Sequence, residues 1–182
     1  RGRSQGPRHA RAAATAPPVK VLVVRTSSIG DVVHVLPALA ALHHAGHEVS
    51  WLVEPASKVL LERNPLVSRV ITIPAVKAYR VGDALAALRE LRRERMDVAL
   101  DFQGLWKSAG WAWLSGARRV VGFEGPWRRE RASSVLIGET VSLPAEASHV
   151  IDKNLALLRA LGIEALGLRE FPLPTASESG SR

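Results

Sequence analysis

One stretch decides the fold: V-K-V-L-V-V-R-T-S-S-I-G-D-V-V-H-V-L-P, which runs from Val19 to Pro37. Its first part, Val19–Val24, is an apolar and largely β-branched run that is typical of a buried strand. Small polar residues and a glycine then lead into a helical pattern. A strand, a polar turn and a helix in this order is where α/β proteins place ligand chemistry, because the first amides of the helix are free. We therefore expect Asp31 in the first helical turn, at the carboxyl end of the first strand.

Strand and helix patterns alternate along the rest of the chain. Strands are predicted at Val19–Val24, Glu48–Val53, Arg69–Ile73, Asp97–Phe102, Arg119–Phe123 and Thr140–Leu143. Helices are predicted at Asp31–His44, with a kink or restart at Pro37, and at Ala56–Arg63, Val81–Arg95, Lys107–Leu114, Arg128–Leu136 and His149–Leu161. This alternation predicts an α/β fold with a Rossmann-like, mainly parallel sheet and helices on both faces.

Two of these helices carry more detailed expectations. In the helix Val81–Arg95, the leucines 85, 88 and 91 are expected to face inward and the basic residues outward. In the helix Lys107–Leu114 and the loop before it, the tryptophans 106, 111 and 113 are expected to pack in the core or between helices, with Trp106 the candidate for exposure.

Length and composition restrict the classes of protein. The chain has 182 residues, which suits one full α/β domain, and its net charge is +8. It has no cysteine, which excludes disulfides and cysteine-ligated metals, and no apolar run long enough to span a bilayer. Residues 1–18 are expected to be a disordered basic tail, 19–162 the domain, and 163–182 a linker, so the chain is expected to be a fragment of a longer protein.

Familiar nucleotide and hydrolase motifs are missing from the sequence. No G-x-G-x-x-G follows the first strand, and no G-x-x-x-x-G-K-[ST], H-E-x-x-H or G-x-S-x-G occurs. A dinucleotide site, a P-loop, a zinc protease and a serine hydrolase are therefore not supported, and no metal or other cofactor is expected.

Asp31 and its turn are the first candidate site. Taken alone, a carboxylate in the first turn of a helix either complements the helix dipole or acts as a base, and both readings stay open. Ser27 and Ser28 are interpreted as caps and turn formers because no base stands at a suitable spacing. His34 follows Asp31 by about one turn and either faces the same cleft or packs on the flank of the helix.

A second polar turn, D-F-Q-G-L-W-K-S-A at Asp101–Ala109, again joins a strand to a helix. Gly104 allows close approach of the backbone to a ligand, and Gln103 and Lys107 are candidates for hydroxyl and anion contacts. The alternative is an ordinary loop in which Asp101 satisfies local amides.

Together these motifs resemble a known family. T-S-S-I-G-D-V-V-H-V-L-P-A-L, at Thr26–Leu39, is similar to the amino-terminal motif of the ADP-heptose:lipopolysaccharide heptosyltransferases of glycosyltransferase family nine. Asp101–Ala109 resembles the family's second motif, and both favour the type I enzymes, which add the first heptose. G-F at Gly122–Phe123, R-R-E-R at Arg128–Arg131 and H-V-I-D-K-N-L-A-L-L at His149–Leu158 follow in the expected order.

The resemblance implies the amino-terminal half of a GT-B fold and a role for each matching residue. The enzyme would transfer heptose from ADP-heptose to a Kdo sugar of Kdo2-lipid A with inversion and without metal, and Asp31 would be the general base. The donor would be held mainly by a carboxy-terminal domain that this sequence does not contain, so the fragment alone is expected to be inactive. The residues expected to bind substrate are Thr26, Ser27, Ser28, Gly30, His34, Lys77, Arg80, Gln103, Gly104, Lys107, Arg129 and Arg131.

The same resemblance implies a cytoplasmic protein in peripheral contact with the inner membrane of a Gram-negative bacterium, with no nucleic acid as partner. Two alternatives remain at this point. One is a non-catalytic α/β module that binds an anionic glycan or nucleic acid through basic clusters such as Arg89–Arg95. The other is a family nine transferase that uses another sugar.

Overall fold

The computed structural model describes residues 17–75, 80–145, 147 and 149–173. Most of the predicted basic tail, the candidate ligand Lys77 and the last nine residues lie outside the described residues. Among the described residues, no helix is long and apolar enough to cross a membrane.

A six-stranded parallel sheet forms the centre of the domain. Its strands are β1 (Lys20–Val24), β2 (Glu48–Val53), β3 (Arg69–Thr72), β4 (Val98–Asp101), β5 (Arg119–Phe123) and β6 (Glu139–Val141). They are hydrogen-bonded in the order β3-β2-β1-β4-β5-β6, and every adjacent pair is parallel. Val23 of β1 is in register with Trp51 on one side and Leu100 on the other. The predicted Rossmann-like sheet is confirmed.

Short helices connect the strands. The α-helices are α1 (Ile29–Val33), α2 (Leu36–His44), α3 (Pro55–Lys58), α4 (Val81–Glu94), α5 (Trp106–Leu114) and α6 (Val150–Ala156), and 3₁₀ helices cover Gly125–Trp127, Arg131–Leu136 and Leu157–Leu161. The predicted break at Pro37 is confirmed, because this proline occupies the first turn of α2, where its missing amide proton is no loss.

Alternation along β1 assigns its side chains to two different cores. Val21 and Val23 pack with α1, α2 and α6, on a side that we call the α2 face. Leu22 and Val24 pack with α4 and α5, on a side that we call the α4 face. Because every β1 side chain from Val21 to Val24 is fully buried, helices cover the sheet on both sides, as the unbroken apolar run predicted.

The structure corrects several details of the prediction. Leu91 is fully buried and Leu88 packs partly buried against the core, as predicted, but Leu85 is 46% exposed, so its predicted inward orientation is wrong. Trp113 is 57% exposed and does not pack in the core. Beside Leu91, α4 meets the sheet through the small residues Ala84 and Ala87, which leaves Leu85 at the edge of the contact.

Element boundaries also differ from the prediction in three places. The helix expected to reach Arg63 ends at Lys58, and the segment expected to be helical from Arg128 is a 3₁₀ helix that begins at Arg131. The last predicted helix continues beyond Ala156 as 3₁₀ turns. Its end is at Gly162, where φ is +72°, a conformation that glycine adopts without strain.

The segment after Gly162 runs back over the domain. Ala165 is buried against the α2 face, and Arg169 forms an ion pair with Asp152 at 2.7 Å. Further along, Asn64 Nδ2 donates a hydrogen bond to the carbonyl of Pro172 at 2.6 Å. The chain up to Pro172 is therefore attached to the domain by specific contacts.

Candidate active site

The first strand ends in a buried arginine that reaches the expected base. Arg25 is only 8% exposed, and its Nη2 lies 2.5 Å from Oδ2 of Asp31. Its Nη1 donates a hydrogen bond to the carbonyl of Phe102, just beyond β4, at 2.8 Å. One guanidinium thus connects the ends of two neighbouring strands and fixes the carboxylate between them.

Asp31 stands in the first turn of α1, as predicted. Ser28 begins this helix in extended conformation, and its amide donates a long hydrogen bond of 3.4 Å to Oδ2 of Asp31. The side chain of Asp31 is one-third exposed. Within the described part of the chain, its Oδ1 has no hydrogen-bond partner, so this oxygen is available to a ligand at the surface.

The surroundings of Asp31 favour its ionised form. Partial burial alone raises the pKa of this carboxyl, but the charge and hydrogen bond of Arg25 and the amide of Ser28 outweigh burial, and the pKa is lowered. Burial lowers the pKa of Arg25, and Asp31 opposes that change. Because an arginine stays protonated in proteins, the pair is a carboxylate and a guanidinium at neutral pH.

Asp101 organises the second polar turn. Its Oδ1 accepts hydrogen bonds from the amides of Gln103 at 3.0 Å and Gly104 at 3.1 Å. Gln103 in turn accepts hydrogen bonds, through its Oε1, from both the amide and the hydroxyl of Thr26, each at 2.9 Å. Thr26 and Gln103, both expected to bind substrate, are thus buried against each other and hold the two motif turns together.

Asp101 itself is buried at the end of β4. Burial raises the pKa of its carboxyl above the usual range, against the hydrogen bonds that it accepts. Its Oδ2 has no hydrogen-bond partner among the described residues. The side chain therefore serves the local amides, the alternative that the sequence left open for this turn.

Gly104 lies under a neighbouring loop. Its φ is +68°, and a Cβ atom there would come within 3.3 Å of the amide nitrogen of Arg129. The carbonyl of Gly104 accepts a hydrogen bond from the amide of Glu130 at 3.0 Å, and Oε2 of Glu130 accepts one from the amide of Trp106 at 2.6 Å. The glycine is thus required by the close approach of this loop.

Three cations share the carboxyl edge of the sheet near Asp31. Arg129 is exposed, and its charge helps to lower the pKa values of Arg25, Asp31 and Lys153. Lys153 donates a hydrogen bond to the carbonyl of Trp127 at 2.8 Å and lies 4.8 Å from the centre of the Phe123 ring. Burial is the main cause that lowers the pKa of Lys153, followed by the charges of Arg25 and Arg129. This concentration of positive charge is suited to an anionic ligand.

The other predicted ligands are placed differently. Lys107 is ion-paired with Glu54 at 2.5 Å, so a carboxylate already compensates its charge. Arg80 and Arg131 are exposed, as are Ser28 and Gly30, and Ser27 is half-buried.

His34 is turned partly into the protein at the end of α1. Its Nδ1 is buried without a hydrogen-bond partner among the described residues, and its ring meets that of His149 edge to face at 6.5 Å. Its carbonyl accepts a hydrogen bond from Nδ2 of Asn154 at 2.9 Å. Helix α6 therefore supports the helix that carries Asp31.

The sequence places Glu54 at the carboxyl edge of the sheet without a specific role, and sequence reasoning named neither Arg25 nor Lys153 as a site residue. A signal for Arg25 was present, because this polar residue directly follows a buried apolar strand in a parallel sheet. Lys153 carries no such signal, since its proximity to Arg25 and Arg129 depends on how α6 packs.

Comparison with known proteins agrees with this geometry. Residues 84–179, just over half of the chain, match the model of glycosyltransferase family 9 (heptosyltransferase). Lipopolysaccharide heptosyltransferase 1 of Escherichia coli K12 is 38% identical over 155 residues, covering 79% of this chain and 48% of that protein. The Pseudomonas aeruginosa protein of the same name is 31% identical over 166 residues, covering 86% and 44%.

A solved structure is also similar to this chain. E. coli heptosyltransferase WaaC with ADP-2-deoxy-2-fluoro heptose superposes with a TM-score of 0.72 at 26% identity, over 82% of this chain and 50% of that one. The chain spans about half the length of these relatives. The motifs at Asp31 and Asp101, the parallel sheet and the family match agree, and the chain belongs to glycosyltransferase family 9, the heptosyltransferase family.

Proposed function

We propose that this chain is the acceptor-binding half of a type I heptosyltransferase in which Asp31 is the general base. The reaction would move L-glycero-D-manno-heptose from ADP-heptose to a Kdo sugar of Kdo2-lipid A, with inversion. The observation that carries the proposal is the Asp31 carboxylate, held by Arg25 at the carboxyl edge of a family 9 domain, with an Oδ1 that no described residue engages. The names of its relatives, and the ADP-heptose analogue in the WaaC structure, support the choice of substrates.

The proposed step needs one base. The acceptor hydroxyl oxygen forms a bond to the anomeric carbon of the heptose, the bond from that carbon to the phosphate oxygen breaks, and ADP leaves with the electron pair. The hydroxyl proton passes to Oδ1 of Asp31, the oxygen that Arg25 and Ser28 do not engage. Attack from the side opposite the leaving group gives inversion.

The lowered pKa of Asp31 fits this order of events. A carboxylate held ionised by an arginine is a weak base, and it removes the proton only after the attacking hydroxyl has become acidic through bond formation. The ion pair also keeps the carboxylate in position before substrate arrives.

The cations beside Asp31 would bind the anionic groups of the acceptor. Arg129 and Lys153 lie near Arg25, and a Kdo carboxylate between them would neutralise part of the charge that they concentrate there. Arg80, Arg131 and Lys77 would bind the phosphates of the lipid. The charge of Lys107 is already compensated by Glu54, so Lys107 would affect acceptor binding through this ion pair.

The remaining parts of the proposal concern the whole protein. Residues 19–162 would bind the acceptor, residues 163–182 would lead to a second domain, and that domain would hold most of ADP-heptose. The protein would work at the cytoplasmic face of the inner membrane, where its lipid acceptor is found.

The test is heptose transfer by the full-length protein carrying Asp31→Asn. We expect turnover to fall by about 10²- to 10⁴-fold, because the amide cannot accept the proton, while circular dichroism keeps the folded spectrum and the thermal unfolding midpoint falls through loss of the ion pair with Arg25. Asp83→Asn, on the exposed first turn of α4, is the matched control and should keep normal turnover. Near-normal transfer by the Asp31 variant would refute the assignment.

A further inference from the structure

Helices α4 and α5 leave an open apolar groove between them on the α4 face. It encloses about 520 Å³. Val81, Leu85 and Leu88 form one wall, and Trp106, Gly110 and Leu114 form the other. Of these, Val81 is 68%, Leu85 46% and Trp106 49% exposed, so three large apolar side chains stand in contact with water along the groove. Exposed apolar side chains grouped along one groove are a candidate binding surface.

The groove begins beside the candidate active site. Lys107 lines its first part, and the Nζ of Lys107 lies 2.5 Å from Oε1 of Glu54. The amide of Glu54 donates a hydrogen bond to the carbonyl of Thr26 at 2.9 Å, in the turn that leads to Asp31. At the other end, Nε of Arg92 donates to the carbonyl of Leu114 at 3.1 Å and joins the two helices. The groove therefore starts at the carboxyl edge of the sheet and runs away from it for about 12 Å along α5.

The charges around the groove are positive. Arg89, Arg92 and Arg93 are exposed on the second half of α4, whose first half carries Val81 and Leu85. Two of the three acidic residues of the same helix, Glu90 and Glu94, are turned elsewhere, because they pair with Arg69 of β3; the third, Asp83, is exposed in the first turn. An apolar channel next to exposed arginines is complementary to a molecule with an alkyl chain and anionic groups.

We propose that this groove binds a fatty acyl chain of the lipid-linked acceptor, and this inference rests on the proposed function. The polar end of the groove meets the turn that leads to Asp31, so an acceptor whose sugar lies at Asp31 has its apolar part beside the groove. Binding the chain there removes Leu85 and Trp106 from water. It also fixes the direction in which the acceptor lies across the domain.

Gly110 offers a direct way to block the groove. It lies in the middle of α5, and a Cβ atom added there would meet no heavy atom within 4 Å. The first carbon of an added side chain therefore has open space, and Gly110→Leu should fill part of the groove while preserving the fold. Gly82→Leu is the matched control, because Gly82 is also helical with open space around it but does not line the groove.

The first measurement is quenching of tryptophan fluorescence in the 182-residue chain by undecanoate brominated at its end. Bromine quenches tryptophans that it approaches, and two of them, Trp106 and Trp111, line the groove. We expect saturable quenching of the unchanged chain and of Gly82→Leu, and loss of that saturable component in Gly110→Leu. Equal quenching in Gly110→Leu, or quenching no stronger than by bromoacetate, would overturn the groove as an acyl site.

The second measurement identifies the source of the chain. Kdo2-lipid A and its fully deacylated form are titrated against the same three proteins, with phosphatidylglycerol vesicles as a separate titrant. We expect the acylated acceptor to bind the unchanged chain at least roughly tenfold more tightly than the deacylated form, and Gly110→Leu to remove that difference. A preference that survives in Gly110→Leu, or vesicle binding that alone depends on Gly110, would overturn the assignment to the acceptor.

The two proposals fail in different ways. Absence of binding to the deacylated acceptor together with intact quenching by the brominated chain would count against the proposed function alone. Binding of the deacylated acceptor with no groove-dependent quenching would count against the groove alone.

Discussion

The two faces of the sheet differ in how tightly helices pack on them. On the α2 face, large side chains such as Leu36, Leu39 and Leu42 are fully buried, and the last helix packs on them. On the α4 face, α4 meets the sheet mainly through Ala84, Ala87 and Leu91, and Leu85 is left at the rim of a groove. One face is a filled core and the other leaves space at the surface, although both border the same six strands. The difference indicates that the α2 face supplies stability and the α4 face leaves room for a ligand.

The largest expected effect is a difference in stability between two variants, in each of which one leucine on one face is replaced by alanine. Leu39→Ala should lower the free energy of unfolding by about 2–5 kcal/mol, because it opens a cavity in a filled core. Leu85→Ala should cost less than about 1 kcal/mol, since much of that side chain is already in water. Urea unfolding of the two variants measures both values. Similar losses at the two positions would break the comparison.

A smaller effect is expected from adding volume on each face. Ala38→Leu should destabilise by about 1–3 kcal/mol, because Ala38 is fully buried among large neighbours. Gly110→Ala should stabilise by about 0.5–1 kcal/mol, since it improves helix propensity in open space. Thermal and urea unfolding would show opposite signs for the two variants. If Gly110→Ala destabilised the domain, the space beside α5 would not be open in solution.

The smallest expected effect is a change in how the free energy of unfolding depends on pH. Asp31 and Asp101 influence this dependence in opposite directions. Asp31, at the start of α1, has a lowered pKa in the fold, so its contribution is present above the ordinary carboxyl pKa and is lost as pH falls through the lowered value. Asp101, before α5, has a raised pKa, so the free energy of unfolding falls as pH rises from the ordinary value through the raised one.

Replacing either aspartate by asparagine should remove its contribution to the pH dependence of the free energy of unfolding. Asp31→Asn should flatten the decrease of stability at acid pH, and Asp101→Asn should remove the decrease with rising pH while its oxygen still accepts from Gln103 and Gly104. Urea midpoints measured from about pH 3 to pH 7 test both expectations. Slopes equal to those of the unchanged protein would show that these two carboxyls do not titrate differently in the folded and unfolded chains.

Much of the fold could be predicted from the sequence because strand patterns are local. The run Val19–Val24 is apolar at nearly every position, and burial on both faces follows from that alone. The orientation of α4 could not be predicted in the same way. The helical pattern correctly favours Leu88 and Leu91 as core residues, but it also favours Leu85, whereas the packed structure buries Ala84 and Ala87 and leaves Leu85 exposed.

Some features of the candidate site also follow from local sequence pattern, and others depend on how distant segments pack. The position of Asp31 at the end of β1 follows from the order of strand, turn and helix. The mutual burial of Thr26 and Gln103, 77 residues apart, depends on β4 lying next to β1 and could not be inferred from local pattern. For the same reason Lys153, which reaches the site from the last helix, was missed.

The central position of β1 also has a consequence for how the protein is made. Of the six strands described, β1 is synthesised first, yet one of its edges pairs with Val98–Asp101 of β4, and the adjoining turn is held by Gln103 and, through His34, by Asn154. Throughout the synthesis of the intervening residues, the backbone amides and carbonyls along that edge have no native partner. A nascent chain that stalls before β4 therefore presents an unprotected β-edge, and this interval is when the protein is most exposed to mispairing and to the chaperones that prevent it.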